Sequence, residues 1–226
     1  MGIRDIALEF LGRGGKRLRP RLCKAVFDVC GGRGDISGVC EAVECFHKAS
    51  LVHDDIQDCD EVRYNRPTVW KEHGVPVAIA VGDWLVARGY QLIAYSSFEA
   101  APAMLRATVD SHLALCAGQG DELLDRAGGV PTSPFGEAAR PFDADTYVSI
   151  CERKTGEAFA LAAQLGALAA GADDAKFRRF GLVYGVMFQI NDDLADGARE
   201  DYLAQLKVKY ENETALSRAE CALGVW

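Results

Sequence analysis

The 226-residue sequence predicts an all-α protein, a single bundle of long helices around a central cavity. Three observations predict it. Apolar residues recur at three- and four-residue spacing over most of the chain. No alternating run bounded by turn residues is long enough to argue for a sheet. Glycine and proline punctuation falls between the helical runs.

The helical runs cover residues 3–11, 19–30, 36–59, 76–97, 101–126, 144–170, 173–196 and 199–222. The second run overlaps a basic stretch, Arg13 to Lys24, and Gly31-Gly32-Arg33-Gly34 stops it. The runs 36–59 and 144–170 are apolar on more than one face, which marks central helices surrounded by others. Asn65-Arg66-Pro67 follows the third run. Gly128-Gly129-Val130-Pro131-Thr132-Ser133-Pro134 is the most loop-like segment, and it reads as a helix–helix connection because both flanks have the same helical character. One bundle in one domain follows.

With 49% hydrophobic and 26% charged residues, the chain has the composition of a soluble globular protein with a substantial core. A net charge of −8 argues against a nucleic-acid partner, but the clustered early basic residues leave an anionic substrate open. The eight cysteines lie mostly inside apolar helical stretches without a C-x-x-C pair, so a reduced, buried set is expected. No signal peptide is evident, and the longest apolar stretch, 76–86, is interrupted by Gly82 and Asp83, so no transmembrane segment is expected. The expected location is cytoplasmic, or an organelle after removal of a targeting peptide.

Two acidic clusters stand at the ends of apolar helices. In Val52-His53-Asp54-Asp55-Ile56-Gln57-Asp58, Asp54 and Asp58 share a helix face with Asp55 beside them. Like charges at that spacing repel, so a cation should compensate. Alone, such a cluster is as readily an acidic helix end in water. Phe188-Gln189-Ile190-Asn191-Asp192-Asp193-Leu194-Ala195-Asp196 repeats the arrangement, with Asp192 and Asp196 on one face. Two such ends facing one cavity offer hard oxygen ligands for Mg²⁺, or Mn²⁺ in its place, with substrate phosphates completing the coordination. Diphosphate leaves only once its charge is neutralised, which carboxylate-held metal and nearby Lys or Arg would do.

At these residues the chain resembles the trans-isoprenyl diphosphate synthases, the polyprenyl synthetase family, over about residues 8–197. Gly14-Gly15-Lys16-Arg17-Leu18-Arg19-Pro20 resembles the family's G-G-K-R-x-R-P segment, and Glu44 to Asp55 its E-x-x-H-x-x-S-L-x-H-D-D. The resemblance implies that Lys16, Arg19 and His47 surround the diphosphate of isopentenyl diphosphate. It implies that Asp54, Asp55 and Asp58 form the first aspartate-rich motif, and that Arg63 clamps the allylic diphosphate. Gly82-Asp83 follows at a family-like distance. Gly118-Gln119-Gly120-Asp121 resembles G-Q-x-x-D, Lys154-Thr155-Gly156 the K-T-G segment whose lysine grips the leaving diphosphate, and Phe188-Gln189 with Asp192, Asp193 and Asp196 the second motif. Singly, His47 reads as an ordinary helical histidine, Lys16 and Arg19 as a solvated helix junction, and Lys154 as a surface lysine. Their occurrence together, in the family order, selects the functional reading.

The implied fold is the isoprenoid synthase bundle, and the implied reaction is Mg²⁺-dependent chain elongation. Metal held by Asp54, Asp58, Asp192 and Asp196 faces the allylic diphosphate, with Asp55 and Asp193 in support and Arg63 and Lys154 completing the clamp. Ala49, five residues before Asp54, is small and leaves a product channel open, whereas Phe46 is an alternative floor; a C20 product is favoured. A homodimer is implied by the resemblance.

Two departures keep rivals in play. The family follows its first motif with R-R-G-x-P-T, but here Tyr64 takes the place of the second arginine, and Arg66 is the residue placed to compensate. Downstream of Asp196 a G-K-rich segment is replaced by Gly197-Ala198-Arg199-Glu200-Asp201, with Lys207 and Lys209 out of pattern. The chain is also short for the family, either abbreviated or lacking a loop after residue 197. One rival is a terpene cyclase-like enzyme or unusual prenyltransferase that ionises an allylic diphosphate without using isopentenyl diphosphate. Others are a non-catalytic subunit of a heteromeric synthase and a plain helical interaction protein.

Overall fold

Helix α1 (Ile3–Gly12) buries Ile6, Ala7 and Phe10 along one face, and α2 (Leu18–Val29) buries Leu22, Cys23, Val26 and Phe27. The structure is a computed structural model describing residues 2–126, 144–195, 197 and 201–221. The C-terminus of α2 is closed by Gly31, at φ 71°, and by hydrogen bonds from Gly31 to Asp28 and from Gly32 to Phe27. Next, α3 (Ser37–Gln57) begins where Asp35 accepts the Ser37 N–H, and it packs on α1, α2, α4, α5 and α8. The long periodic runs of the sequence are thus helical, with ends shifted by at most three residues.

Two short elements follow that periodicity did not reveal. Val62–Arg63 (β1) and Arg66–Pro67 (β2) pair antiparallel around Tyr64 and Asn65, whose φ angles are 54° and 57°. Two left-handed residues in a two-residue connection are what a tight hairpin twist demands. A pair this short carries no legible alternation and leaves the all-α class of the chain unchanged. Helix α4 (Val69–His73) then leads through Gly74 into α5 (Val75–Ala94).

Helix α5 is longer and more apolar than the run 76–86 suggested. By length and composition it is apolar enough to cross a membrane, with a mean hydropathy of 1.2 over its most apolar 18 residues. Gly82 and Asp83 do not offset the valines, isoleucine and leucine around them. In the structure α5 packs against α1, α3, α4 and α6, and its charges are used there. Asp83 faces His53 at 3.7 Å, and Arg88 donates to Glu41 at 3.0 Å.

Helix α6 (Ala101–Arg126) ends where the described chain breaks off, so the loop-like segment 128–134 lies outside the described residues. The run 144–170 is not one regular helix. It is α7 (Ala144–Cys151), a π-helical turn (Glu152–Gly156) and α8 (Glu157–Ala169). Extra-wide turns inside helices recur at functional sites. As expected of a central helix, α8 is buried almost throughout and contacts α2, α3, α6 and α9. Helices α9 (Ala175–Ala195) and α10 (Asp201–Glu220) close the bundle, and Tyr147, Val186, Ile190, Leu203 and Tyr210 cluster between α7, α9 and α10.

Candidate active site

The last turns of α3 carry the first acids. Asp54 is partly buried and Asp58, at the helix end, is exposed. Burial pushes the Asp54 carboxyl up, opposed by Lys154 and Arg63 and reinforced by Asp58 and Glu122. Asp55 points elsewhere. Its side chain is 1% exposed and accepts from Arg63 Nε at 2.5 Å, while its second oxygen has no partner. Burial raises its pKa to about 6 in spite of that arginine. Asp55 therefore holds Arg63, which also approaches Asp60 at 3.6 Å.

Lys154 sits in the π-helical turn and donates to Glu122 of α6 at 2.7 Å. Gly118 makes this approach possible, because a Cβ there would fall 2.8 Å from the Arg153 Cβ. The acid that meets Lys154 is thus Glu122, one residue past the Gly118–Asp121 segment, whereas Asp121 pairs outward with Arg153. Counting G-Q-x-x-D onto Gly118-Gln119 lands on residue 122, the signal that would have found it. Gln119 donates to Gln57 at 2.8 Å and ties α6 to the end of α3.

The next residue of the π turn reaches the second acidic end. Thr155 donates to Gln189 (2.7 Å), Gln189 donates to Asp193 (2.8 Å), and Tyr147 donates to the other Asp193 oxygen (2.5 Å). Burial, and then the bond to Asp193, keep the Tyr147 phenol protonated. Asp192 is exposed at the end of α9, and Phe188 packs on Phe159 with ring centroids 5.6 Å apart. Asp196 lies outside the described residues. Tyr147 was not marked by any motif; only its contact with Asp193 reveals it.

A cationic cluster lies along α3. His47 precedes Asp54 by seven residues, two turns and about 10 Å along the same face. Arg19 Nη1 lies 3.4 Å from His47 Nε2, and its guanidinium covers the Phe159 ring at 4.4 Å. Arg19 Nε is buried without a partner, and burial lowers its pKa to about 10. Burial, helped by Arg19, Lys48 and Arg63, pushes His47 well below its usual range, so the imidazole is neutral near pH 7. Lys16 and Arg17 are exposed. Arg66 does not reach back to this cluster: it pairs with Glu9 at 2.5 Å. That correction follows from the hairpin, which points the residue after the turn toward α1. Missed by the sequence reading is Lys48, whose buried ammonium donates to the carbonyls of Arg13 and Gly14.

The two residues singled out for product length belong to different clusters. Ala49 is buried with Ile6, Phe10, Cys45 and Val81 between α1, α3 and α5. Phe46 joins the cluster of α2, α8 and α9, and its ring meets Tyr90 and His112 edge-on at 5.3 and 4.9 Å. Tyr90 and His112 are themselves bonded at 2.8 Å, forming an aromatic layer deeper in the bundle.

Among the described residues no three carboxylates, thiols or imidazoles are gathered tightly enough to cage an ion unaided. The donor set still suits Mg²⁺, which is characteristically held by one or two carboxylates with water and phosphate filling the rest. Asp54, burdened by burial and by its acidic neighbours, is the kind of carboxylate that a hard dication relieves.

The family model for polyprenyl synthetase matches residues 2–207. A geranylgeranyl diphosphate synthase of Mycobacterium tuberculosis is 37% identical over 188 residues, 81% of this chain and 51% of that protein. Component 2 of a heptaprenyl diphosphate synthase of Geobacillus stearothermophilus is 35% identical over 200 residues, 85% of this chain and 57% of that one. The chain thus spans about half the length of the curated relatives it matches. An isoprenoid synthase family member from Thermotoga neapolitana superposes with a TM-score of 0.83 at 26% identity, covering 98% of this chain and 86% of that one.

Proposed function

Because the chain belongs to the polyprenyl synthetase family, we propose that it elongates an allylic diphosphate with isopentenyl diphosphate to a longer trans-prenyl diphosphate. The observation that carries this reading is the spacing of two unlike sites on one face of α3: Asp54 with Lys154 and Arg63 beside it, and His47 with Arg19 two turns away. One site suits a metal-bridged leaving group, the other a second anion.

Asp54, Asp58 and Asp192 would hold Mg²⁺, or Mn²⁺ in its place, with Asp196 the remaining acid of the second motif. When bound, such an ion neutralises the charge on the leaving diphosphate. Arg63, held by Asp55, and Lys154, held by Glu122, donate charge-assisted hydrogen bonds to it. Gln119 braces α6 against α3, and Thr155, Gln189 and Tyr147 fix Asp193. The C–O bond breaks with its electron pair on the diphosphate. The double bond of isopentenyl diphosphate, held by Lys16, Arg19 and His47, attacks the allylic carbon. A proton is then lost to the released pyrophosphate, so no side-chain base is assigned. Phe188, Phe159 and the apolar bundle keep water from the cation.

The aromatic layer of Phe46, Tyr90 and His112 is the proposed floor, and a C20 product the favoured length. A homodimer is proposed through α5 and α6, which expose Val75 and Ile79 on one helix and Val109 and Leu113 on the other at four-residue spacing. The eight free thiols fit a reducing, cytoplasmic setting. One specific observation, Tyr64 in place of a second arginine, favours the alternative of ionisation without an acceptor. Similarity to a component of a heteromeric synthase makes a second, different subunit the alternative to a homodimer.

The test is product analysis of the purified protein with Mg²⁺ and geranyl or farnesyl diphosphate, with and without labelled isopentenyl diphosphate. Labelled longer diphosphates that disappear in Asp54→Ala and Asp192→Ala support elongation. Hydrocarbon or alcohol release without label uptake would replace it with the cyclase-like alternative.

A further inference from the structure

Tyr64 removes a cation from the hairpin, and the mechanism above leaves the fully buried Lys48 without a role. Lys48 has no exposed surface, although it is charged and lies midway along α3. Its ammonium donates to the Arg13 carbonyl and, at 3.2 Å, to the Gly14 carbonyl. The Tyr64 ring centroid lies 4.3 Å from Nζ and the Phe10 centroid 5.4 Å away. Two carbonyls and two aromatic faces thus receive the charge; among the described residues no carboxylate hydrogen-bonds to it, and the buried Glu44, one turn earlier on α3, supports it only through space. Burying an ammonium without a bonded counter-ion is costly. The arrangement is worthwhile where the charge serves an anion close by.

The loop above it is shaped for one. Gly14, Gly15 and Arg17 have φ angles of 38°, 96° and 49°, the kind of succession that turns backbone N–H groups into an anion-holding concavity. The N–H groups of Gly14, Gly15, Lys16 and Arg17 have no backbone hydrogen-bond acceptor among the described residues. A Cβ on Gly15 would fall 3.3 Å from the Tyr64 hydroxyl and 3.8 Å from Lys48 Nζ, so only the backbone of that glycine separates the ammonium from the loop surface. A Cβ on Gly14 would fall 2.9 Å from the Tyr64 ring, which packs against the loop. Arg19, beside the same loop, keeps a buried Nε without a partner.

We propose that Lys48, held by Tyr64, is a positioning residue that stands in for the missing second arginine at the acceptor diphosphate. Drawing the carbonyls of Arg13 and Gly14 inward, it leaves the loop N–H groups free for the diphosphate and supplies positive potential from beneath. Tyr64 covers the ammonium in an arrangement that an arginine at the same place would repel. The inference rests on the preceding reading that this loop takes the diphosphate of isopentenyl diphosphate.

The experiment combines calorimetric titration of isopentenyl diphosphate with steady-state elongation for the wild type, Lys48→Met, Tyr64→Arg and the double variant. Lys48→Met is expected to weaken acceptor binding and raise the acceptor KM by about tenfold or more, the scale of a lost charge-assisted interaction, with the allylic KM little changed. Tyr64→Arg alone sets two cations together and gives no gain, whereas combined with Lys48→Met it restores acceptor binding. A role confined to folding would move both KM values and would not be rescued by an arginine at position 64. Should Lys48→Met fail to fold, Tyr64→Leu carries the test, with the same selective rise in acceptor KM expected. An acceptor KM unchanged in the folded variant, both KM values raised alike, or no rescue in the double variant overturns the proposal. Wild-type protein that binds isopentenyl diphosphate without elongating sinks the activity reading alone, and wild-type protein that takes up none overturns both.

Discussion

Lys154 and Glu122 are joined by a 2.7 Å ion pair that fastens the π-helical turn to α6, with the Asp54 carboxyl in the field of the same ammonium. The wide turn places the lysine there, and Gly118 lets the two helices approach closely enough for it. A lysine so held is oriented before any substrate arrives, which is how a donor contributes to a transition state without reorganising.

Replacing Lys154 by Ala should therefore lower turnover by about a hundredfold, the usual scale for removing one preorganised donor. Glu122→Gln should cost about tenfold, since the lysine stays but loses its charged anchor. Radiolabel incorporation from isopentenyl diphosphate at saturating substrates measures both, and equal turnover in the wild type and Lys154→Ala would remove this lysine from the mechanism.

Product length offers a separate check on the aromatic layer. Phe46→Leu opens space beside Tyr90 and His112 while keeping the site apolar, so chromatography of the products should show a shift toward chains longer by one or more isoprene units. Phe46→Ala leaves a larger void and should also cost about 3–5 kcal/mol of stability. Unchanged product length in a folded Phe46→Leu protein would place the floor elsewhere.

Close packing of α3 on α5 depends on Gly82 and Gly89. A Cβ at Gly82 would fall 2.1 Å from His53 Nε2, and one at Gly89 would fall 2.5 Å from the Phe46 ring. Gly82→Ala is expected to lower stability by about 1–3 kcal/mol through overpacking. Adding His53→Ala removes the clashing ring and should recover most of that loss in a denaturant titration.

His47 predicts a pH dependence. Its folded pKa is pushed well below 6.5 by burial and by Arg19, Lys48 and Arg63, so below that value the unfolded chain takes up a proton that the folded chain refuses. Its stabilising contribution is complete above pH 6.5 and is lost as the pH falls. Urea midpoints should decline from pH 6.5 toward about pH 5 in the wild type and decline less in His47→Gln.

Local pattern and tertiary contact divide cleanly in this molecule. The long helices, the central position of α3 and α8, and the placement of acids at two helix ends were legible in the sequence, because a 3.6-residue period and a charge at the end of an apolar run are local facts. The hairpin around Tyr64 and the π turn at Lys154 were not, since each departs from its neighbours' geometry over only a few residues. Nor could local pattern reveal the partners: Lys154 meets Glu122 across 32 residues, Lys48 meets Arg13 across 35, Tyr147 meets Asp193 across 46 and Arg66 meets Glu9 across 57. The sequence by itself determined which helices form, which carry the acids and which family the motifs resemble. Only the tertiary structure decided that Asp55 turns inward to hold Arg63, that Arg66 is spent on Glu9, and that Lys48 lies beneath the glycine loop. The physical reason is that burial and pairing of charge depend on which helices come to lie side by side, and that is settled by packing across the bundle.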